Sequence, residues 1–266
     1  MNSIGIIQGR LSLAPKNKLQ YFPKNYKEEF ALASKAKLDY IEFFSERIFN
    51  PKNPIWEKKG IQNYKNLAKI NNIKIYTFCD DYIISNSIKR LKTLNYIKKL
   101  SKNLHTLKCK KLVLPFYGKN TLTRKNISLM SKHIEKILKI LKKKNIKLLI
   151  ETNLNAEDYF NLKSKLKSKN FKLAFDTGNR VIFNRELQKE ITFLKNEIGH
   201  VHIKDKNNLK KNVKLGTGLV NFKEVFKAFK LIKYRQSFTF ESVRGTNPFL
   251  TAKNNVKFIN RYLSNF

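Results

Sequence analysis

Four residues stand where their types and surroundings could do chemistry together. They are Glu151, Asp176, His202 and Glu241, and each closes or follows an apolar stretch: Leu148-Leu-Ile-Glu151, Leu173-Ala-Phe-Asp176, Val201-His202 and Phe238-Thr-Phe-Glu241. The chain carries only 19 acids against 56 Lys and Arg, so the acids are its informative residues. A carboxylate at the end of a buried segment is costly unless it is paired or bound to a cation. Three carboxylates and one imidazole make a hard, mostly oxygen donor set, suited to Mn²⁺ or Mg²⁺, with Co²⁺ or Zn²⁺ as further candidates. Taken singly, each has an ordinary reading. Asp176 before Thr-Gly-Asn is a natural Asx-turn residue, and a lone acid after a strand is commonly a helix cap or salt-bridge partner. Recurrence at four consecutive strand ends points beyond these readings to one divalent-metal site.

Such convergence needs a scaffold. Short β-rich runs at 4–8, 40–44, 74–78, 111–115, 147–151, 172–176, 200–204 and 237–241 alternate with lysine-rich amphipathic stretches. Runs such as Lys147-Leu-Leu-Ile-Glu151 are continuously apolar, as parallel strands buried on both faces are. Helical spacing marks 26–36, 61–71, 87–107, 128–145, 156–166, 185–196, 222–232 and 252–263, with Asn25 and Asn221 placed as N-caps. Eight β–α units in 266 residues, without a linker or composition break, predict an α/β fold: a (β/α)₈ TIM barrel, one domain over 1–266. Barrel chemistry sits at the C-terminal strand ends. The first βα turn, Gln8-Gly9-Arg10, lacks the glycine fingerprint of dinucleotide-binding folds.

Composition bounds the rest. A 41% hydrophobic content supports a sizeable core, and no apolar run is long enough for a membrane span. The N-terminal segment turns polar too soon for a signal peptide and reads as a first strand. Two cysteines, Cys79 and Cys109, with no CxxC pair, fit free thiols in a reducing cytoplasm. The formal charge of +37 would attract nucleic acid. The excess, however, is lysine spread along every helix, not the clustered arginine and aromatics of a dedicated binding face. Nucleic acid is therefore not the expected partner despite the charge, and a homo-oligomer is compatible with the chain.

The motifs Ile4-Gly-Ile-Ile-Gln-Gly-Arg-Leu-Ser12, Leu38-Asp-Tyr-Ile-Glu42, Leu148-Leu-Ile-Glu151, Phe175-Asp-Thr-Gly-Asn179, His200-Val-His-Ile-Lys-Asp205, Leu215-Gly-Thr-Gly218 and Phe240-Glu241 run from first strand to last. In this order the chain resembles the xylose isomerase-like TIM barrel superfamily, the sugar phosphate isomerase/epimerase family. The resemblance implies metal ligation by Glu151, Asp176, His202 and Glu241, the four already singled out. It further implies a sugar, sugar phosphate or sugar acid isomerase or epimerase working through an enediolate, with Glu151 and Glu241 as the catalytic carboxylates. Glu157 falls where some epimerases of the family bind substrate, although an early-helix acid favoured by the dipole is its ordinary reading. Arg10, Lys204 and Arg244, at or just beyond strand ends, are candidate substrate-binding cations. Gly216-Thr-Gly218 reads as a turn before the 222–232 helix, with phosphate cradling as the alternative. Cys79 and Asp80 follow the third strand without an assigned role.

Two other activities share the barrel. A lyase dehydrating an inosose or a dehydroshikimate-like acid would need the same metal and base. An apurinic-site endonuclease would need about nine ligands, many of them histidines, for three zinc ions, whereas the chain has only His105, His133, His200 and His202.

Overall fold

The structure, a computed structural model, describes residues 2–15, 18, 20–183 and 186–264. Among the described residues ten strands are present: β1 (Ser3–Ile7), β2 (Tyr40–Ser45), β3 (Lys74–Asp80), β4 (Lys111–Pro115), β5 (Lys147–Glu151), β6 (Phe171–Asp176), β7 (Ile198–Ile203), a two-residue pair β8 (Asp205–Lys206) and β9 (Asn212–Val213), and β10 (Ser237–Phe240). Eight of them close a barrel in the order β1-β10-β7-β6-β5-β4-β3-β2. The pairings are parallel, with Ile6 opposite Phe240, Phe240 opposite Ile203, and Pro115 opposite Glu151. Every residue of β2, β4 and β7 is buried, as parallel strands covered on both faces are. The antiparallel pair β8–β9 has no counterpart in the sequence pattern, because two residues per strand leave no periodic signal.

Packing gathers the chain into two compact units, residues 1–42, 71–74 and 174–266, and residues 43–70 and 75–173. The first is built on an aromatic cluster in which Phe226, Phe229, Tyr234 and Phe238 meet at ring-centroid distances of 5.0–6.3 Å. Burying each such ring contributes roughly 1.5–3 kcal/mol. The second packs Phe43 on Tyr64 and Tyr159 on Phe171, and stacks Tyr82 on Tyr96 at 3.9 Å.

Helix ends follow side-chain chemistry. Asn155, Asn221 and Asn247 cap the helices Ala156–Leu166, Phe222–Leu231 and Pro248–Leu263 by accepting backbone N–H bonds. The last of these begins before the expected 252, because Pro248 occupies the first turn, where its missing N–H costs nothing. Asn25 does not cap as expected: the helix Glu28–Lys35 starts after Lys27, which makes no side-chain cap, and Asn25 only offers its carbonyl to Glu28. The helix expected over 87–107 spans Leu91–Leu107, preceded by a separate turn of helix at Tyr82–Ser85. Asn120 enforces the break. Its amide holds the Ile83 and Asn86 carbonyls and its oxygen takes the Ile88 N–H. Of the helix expected over 185–196, Arg185 lies outside the described residues, and Leu187–Leu194 is helical. With few glycines available, lysines take left-handed positions at helix ends, as at Lys108 and Lys167.

Candidate metal centre

Asp176 ends β6 and turns straight into the short helix Thr177–Val181. Its Oδ1 accepts the Asn179 N–H at 2.6 Å, so the Asx-type cap read from the sequence is present. Its Oδ2 lies 2.8 Å from Lys204 Nζ. The Thr-Gly that follows secures the lysine in two ways. Thr177 Oγ1 donates to the Lys204 carbonyl at 2.6 Å and accepts the Lys204 N–H at 3.0 Å, fixing the lysine backbone just past β7. Gly178 lets the lysine stem pass, since a Cβ there would stand 2.8 Å from Lys204 Cγ.

Lys204 continues to Glu241, donating to Oε1 at 2.7 Å. Glu241 follows β10 directly and also receives Gln20 Nε2 at 2.9 Å, while Arg10 Nη2 stands 3.8 Å away. Arg10 is itself held by the Ser242 carbonyl at 2.6 Å and by Gln20 Oε1 at 3.1 Å. Burial alone would raise the Glu241 carboxyl. The Lys204 ammonium, then His202, then Arg10 outweigh it and hold the group well below the usual carboxylate range.

His202, fully buried on β7, faces two acids. Its Nδ1 is 3.1 Å from Glu241 Oε2 and its Nε2 is 2.8 Å from Glu42 Oε1. Glu42 is equally buried on β2, and its second oxygen lies 2.7 Å from His200 Nε2. Burial works to raise Glu42 as well, but the two imidazoles override it and keep it ionised far down the scale. Glu151, closing β5, accepts the Tyr117 hydroxyl at 2.9 Å. One donor atom from each of Glu151, Asp176, His202 and Glu241 falls within 4.8 Å of the others, and all four residues are buried. A second group, Glu42 with His200 and His202, shares the imidazole.

The donor set fits a divalent cation by its chemistry: three carboxylates and one imidazole, all buried, make a hard, mostly oxygen site.

Not every candidate joins the cluster. Glu157 is exposed in the first turn of Ala156–Leu166 and stands 4.0 Å from the equally exposed Arg124, an arrangement of little energetic weight. Arg244 donates to the Gly9 carbonyl at 2.7 Å and lies over the Tyr21 ring, so it braces the first βα turn. The N–H groups of Gly216 and Gly218 point to Asp205 Oδ2 at 3.0 and 2.9 Å, with Val220 N on Oδ1. That loop is a turn wound on an internal carboxylate, not a phosphate cradle. His105 is exposed and His133 half-buried, and neither joins a metal-type group among the described residues, so a trinuclear centre is not assembled.

Glu42 stands in a motif of the family resemblance but with no role assigned to it, and Gln20 escapes a reading of the sequence for site residues. Glu42 lies inside a strand that continues into Phe-Phe-Ser, so no strand end flags it. Gln20 comes from a long first loop with no periodicity.

Residues 30–262 match the family described as xylose isomerase-like TIM barrel. No characterised protein sequence gives a significant match. Among solved structures, an L-ribulose 3-epimerase is similar over 100% of this chain and 95% of its own, with TM-score 0.78 and 20% identity. A D-allulose 3-epimerase from Methylomonas sp. covers 98% of both chains at TM-score 0.76 and 18% identity. A 3-keto-D-glucoside 4-epimerase from E. coli covers 98% of this chain and 100% of its own, again at 0.76 and 18%. At such identities the likeness establishes the barrel. No helix among the described residues is long and apolar enough to cross a membrane.

Proposed function

The chain belongs to the xylose isomerase-like TIM barrel family, and from that premise we propose that it is a divalent-metal-dependent sugar isomerase or epimerase. The observation that carries this reading is the buried convergence of Glu151, Asp176, His202 and Glu241. These four residues would hold the ion, Mn²⁺ or Mg²⁺ by the hardness of the set. When bound, the ion supplies Lewis acidity toward a carbonyl and its neighbouring hydroxyl.

The chain's own residues supply the rest. Glu151 and Glu241 are the proton carriers beside the substrate carbonyl. Glu241 is kept ionised by Lys204, His202 and Arg10, ready to accept a proton from carbon. Tyr117 orients Glu151 through its hydroxyl. Arg10 and Lys204 are the cations placed to meet substrate oxygens, whereas Arg244 and Glu157 contribute at a distance, by bracing a loop and facing solvent. On this reading residues 1–266 act as one catalytic domain on a small carbohydrate. Similar structures of proteins named as sugar epimerases, one of them solved with D-tagatose, support that class.

The test is to incubate metal-loaded protein with a panel of ketoses, aldoses and keto sugar acids in deuterated water, following spectra by NMR. Deuterium entry at carbon beside the carbonyl is expected for at least one sugar. Dehydration without exchange would move the reading to the lyase class, and no change with any sugar would remove the enzyme reading.

A further inference from the structure

The metal reading uses one nitrogen of His202 and leaves unexplained a fully buried carboxylate that touches its other nitrogen. Glu42 Oε1 lies 2.8 Å from His202 Nε2 and Glu42 Oε2 lies 2.7 Å from His200 Nε2. The two histidines stand two residues apart on β7, so their rings leave the same face of the strand, and they meet edge to face at 5.1 Å between centroids. On its far side, His200 Nδ1 is 2.7 Å from Ser237 Oγ.

We propose that Glu42 is a positioning residue that fixes His202 with hydrogen on Nε2, so that Nδ1 alone is presented to a metal ion. Each Glu42 oxygen faces one imidazole nitrogen at hydrogen-bond distance, so Nε2 of His202 is committed to Glu42 and turned away from the other ligand residues. Nδ1, 3.1 Å from Glu241 Oε2, is the nitrogen on the side of those residues, and an ion seated there would take the place of any hydrogen it carries. His200 plays the complementary part: its Nδ1 is anchored 2.7 Å from Ser237 Oγ, and its Nε2 holds the second oxygen of Glu42 in place. A carboxylate behind a metal-bound histidine fixes ring orientation and raises ligand basicity. Direct ligation of an ion by Glu42, His200 and His202 is disfavoured by their separations. N···O distances of 2.7–2.8 Å are hydrogen-bond lengths, shorter than neighbouring ligands keep around one ion.

This inference rests on the metal reading, and the experiment separates the two. Protein with ¹⁵N-labelled histidine is loaded with ¹¹³Cd²⁺. The expected spectrum shows cadmium coupling at Nδ1 of His202 and a retained proton at Nε2; coupling at Nε2 would overturn the proposal without any variant. Separately, Mn²⁺ binding is measured by electron paramagnetic resonance for the native chain, Glu42→Gln and Glu42→Ala, each checked for folding by circular dichroism. One ion per native chain and affinity weaker by about 10–100-fold in both variants is expected. Equal affinity in folded variants overturns the role of Glu42 alone. A native chain that takes up no Mn²⁺ overturns the metal reading itself, and a second ion per chain would assign the Glu42 trio as ligands instead.

Discussion

Replacing Lys204 with Met should make the metal-free protein less stable and yet a tighter binder of divalent ions. The ammonium stands 2.8 Å from Asp176 Oδ2 and 2.7 Å from Glu241 Oε1, with all three groups buried. Removing one partner of a buried ion pair costs about 3–5 kcal/mol, because the carboxylates left behind lose their compensation. At about 2–4 °C per kcal/mol for a chain of this size, the melting temperature should fall on the order of 10 °C. The same ammonium opposes an incoming cation. A unit charge about 4 Å from another is worth up to ~4 kcal/mol at an effective dielectric near 20, so Mn²⁺ affinity should rise by about tenfold or more. Saturation at a hundred times Kd returns about 2.7 kcal/mol, enough to recover much of the lost stability. Thermal melts of native and Lys204→Met protein, with a chelator and across a Mn²⁺ series, read both effects. An unchanged melting temperature, or Mn²⁺ affinity falling as it would on loss of a ligand, would refute the reasoning.

Three further outcomes follow from the same structure. Gly178→Ala forces the Lys204 stem aside, since the new Cβ would meet Lys204 Cγ at 2.8 Å; overpacking of this kind costs about 1–3 kcal/mol, and turnover should fall while a melt shows the protein folded. Asp205→Ala strips the acceptors from Gly216, Gly218 and Val220 and should destabilise by about 2–4 kcal/mol, with inorganic phosphate giving no rescue in the melt. Stability should also decline as pH rises from about 4 to 7. Burial lifts Glu29 to about 7, although Gly9, Ser12 and Leu11 donate to it, and lifts Asp80 to about 6 against the bonds from Ser45, Tyr96 and Tyr82. Both groups bind more protons folded than unfolded, so their stabilisation is complete below the unfolded carboxylate pKa and is lost through the folded values. For Asp80 the loss is about 2–3 kcal/mol, and Asp80→Asn should flatten that part of a urea-denaturation pH profile.

The barrel was legible because buried parallel strands leave continuous apolar runs, and the β4 and β5 bounds coincide with the runs at 111–115 and 147–151. Asp176 and Glu241 were legible for the same reason: an acid that interrupts or closes such a run has no cheap local explanation. Asn221 could be read as a cap, since the helix it starts is strongly periodic, whereas Asn25 belongs to a loop that reaches its helix three residues later, at Glu28. What could not be read depends on contacts distant in sequence. Gln20 meets Glu241 across more than two hundred residues, Glu42 meets His202 across a comparable gap, and Asn120 breaks a helix thirty residues upstream. Arg244 shows the converse: its place after the last strand suggested substrate, but packing gave it to Gly9 and Tyr21.

The central claim is one divalent ion on four buried residues, and Mn²⁺ stoichiometry by equilibrium dialysis tests it most directly. The account predicts one ion per native chain. It also predicts affinity lowered at least tenfold in Asp176→Asn and His202→Asn protein that remains folded by circular dichroism. A native chain that binds no divalent ion, or variants that bind as the native chain does, would contradict it.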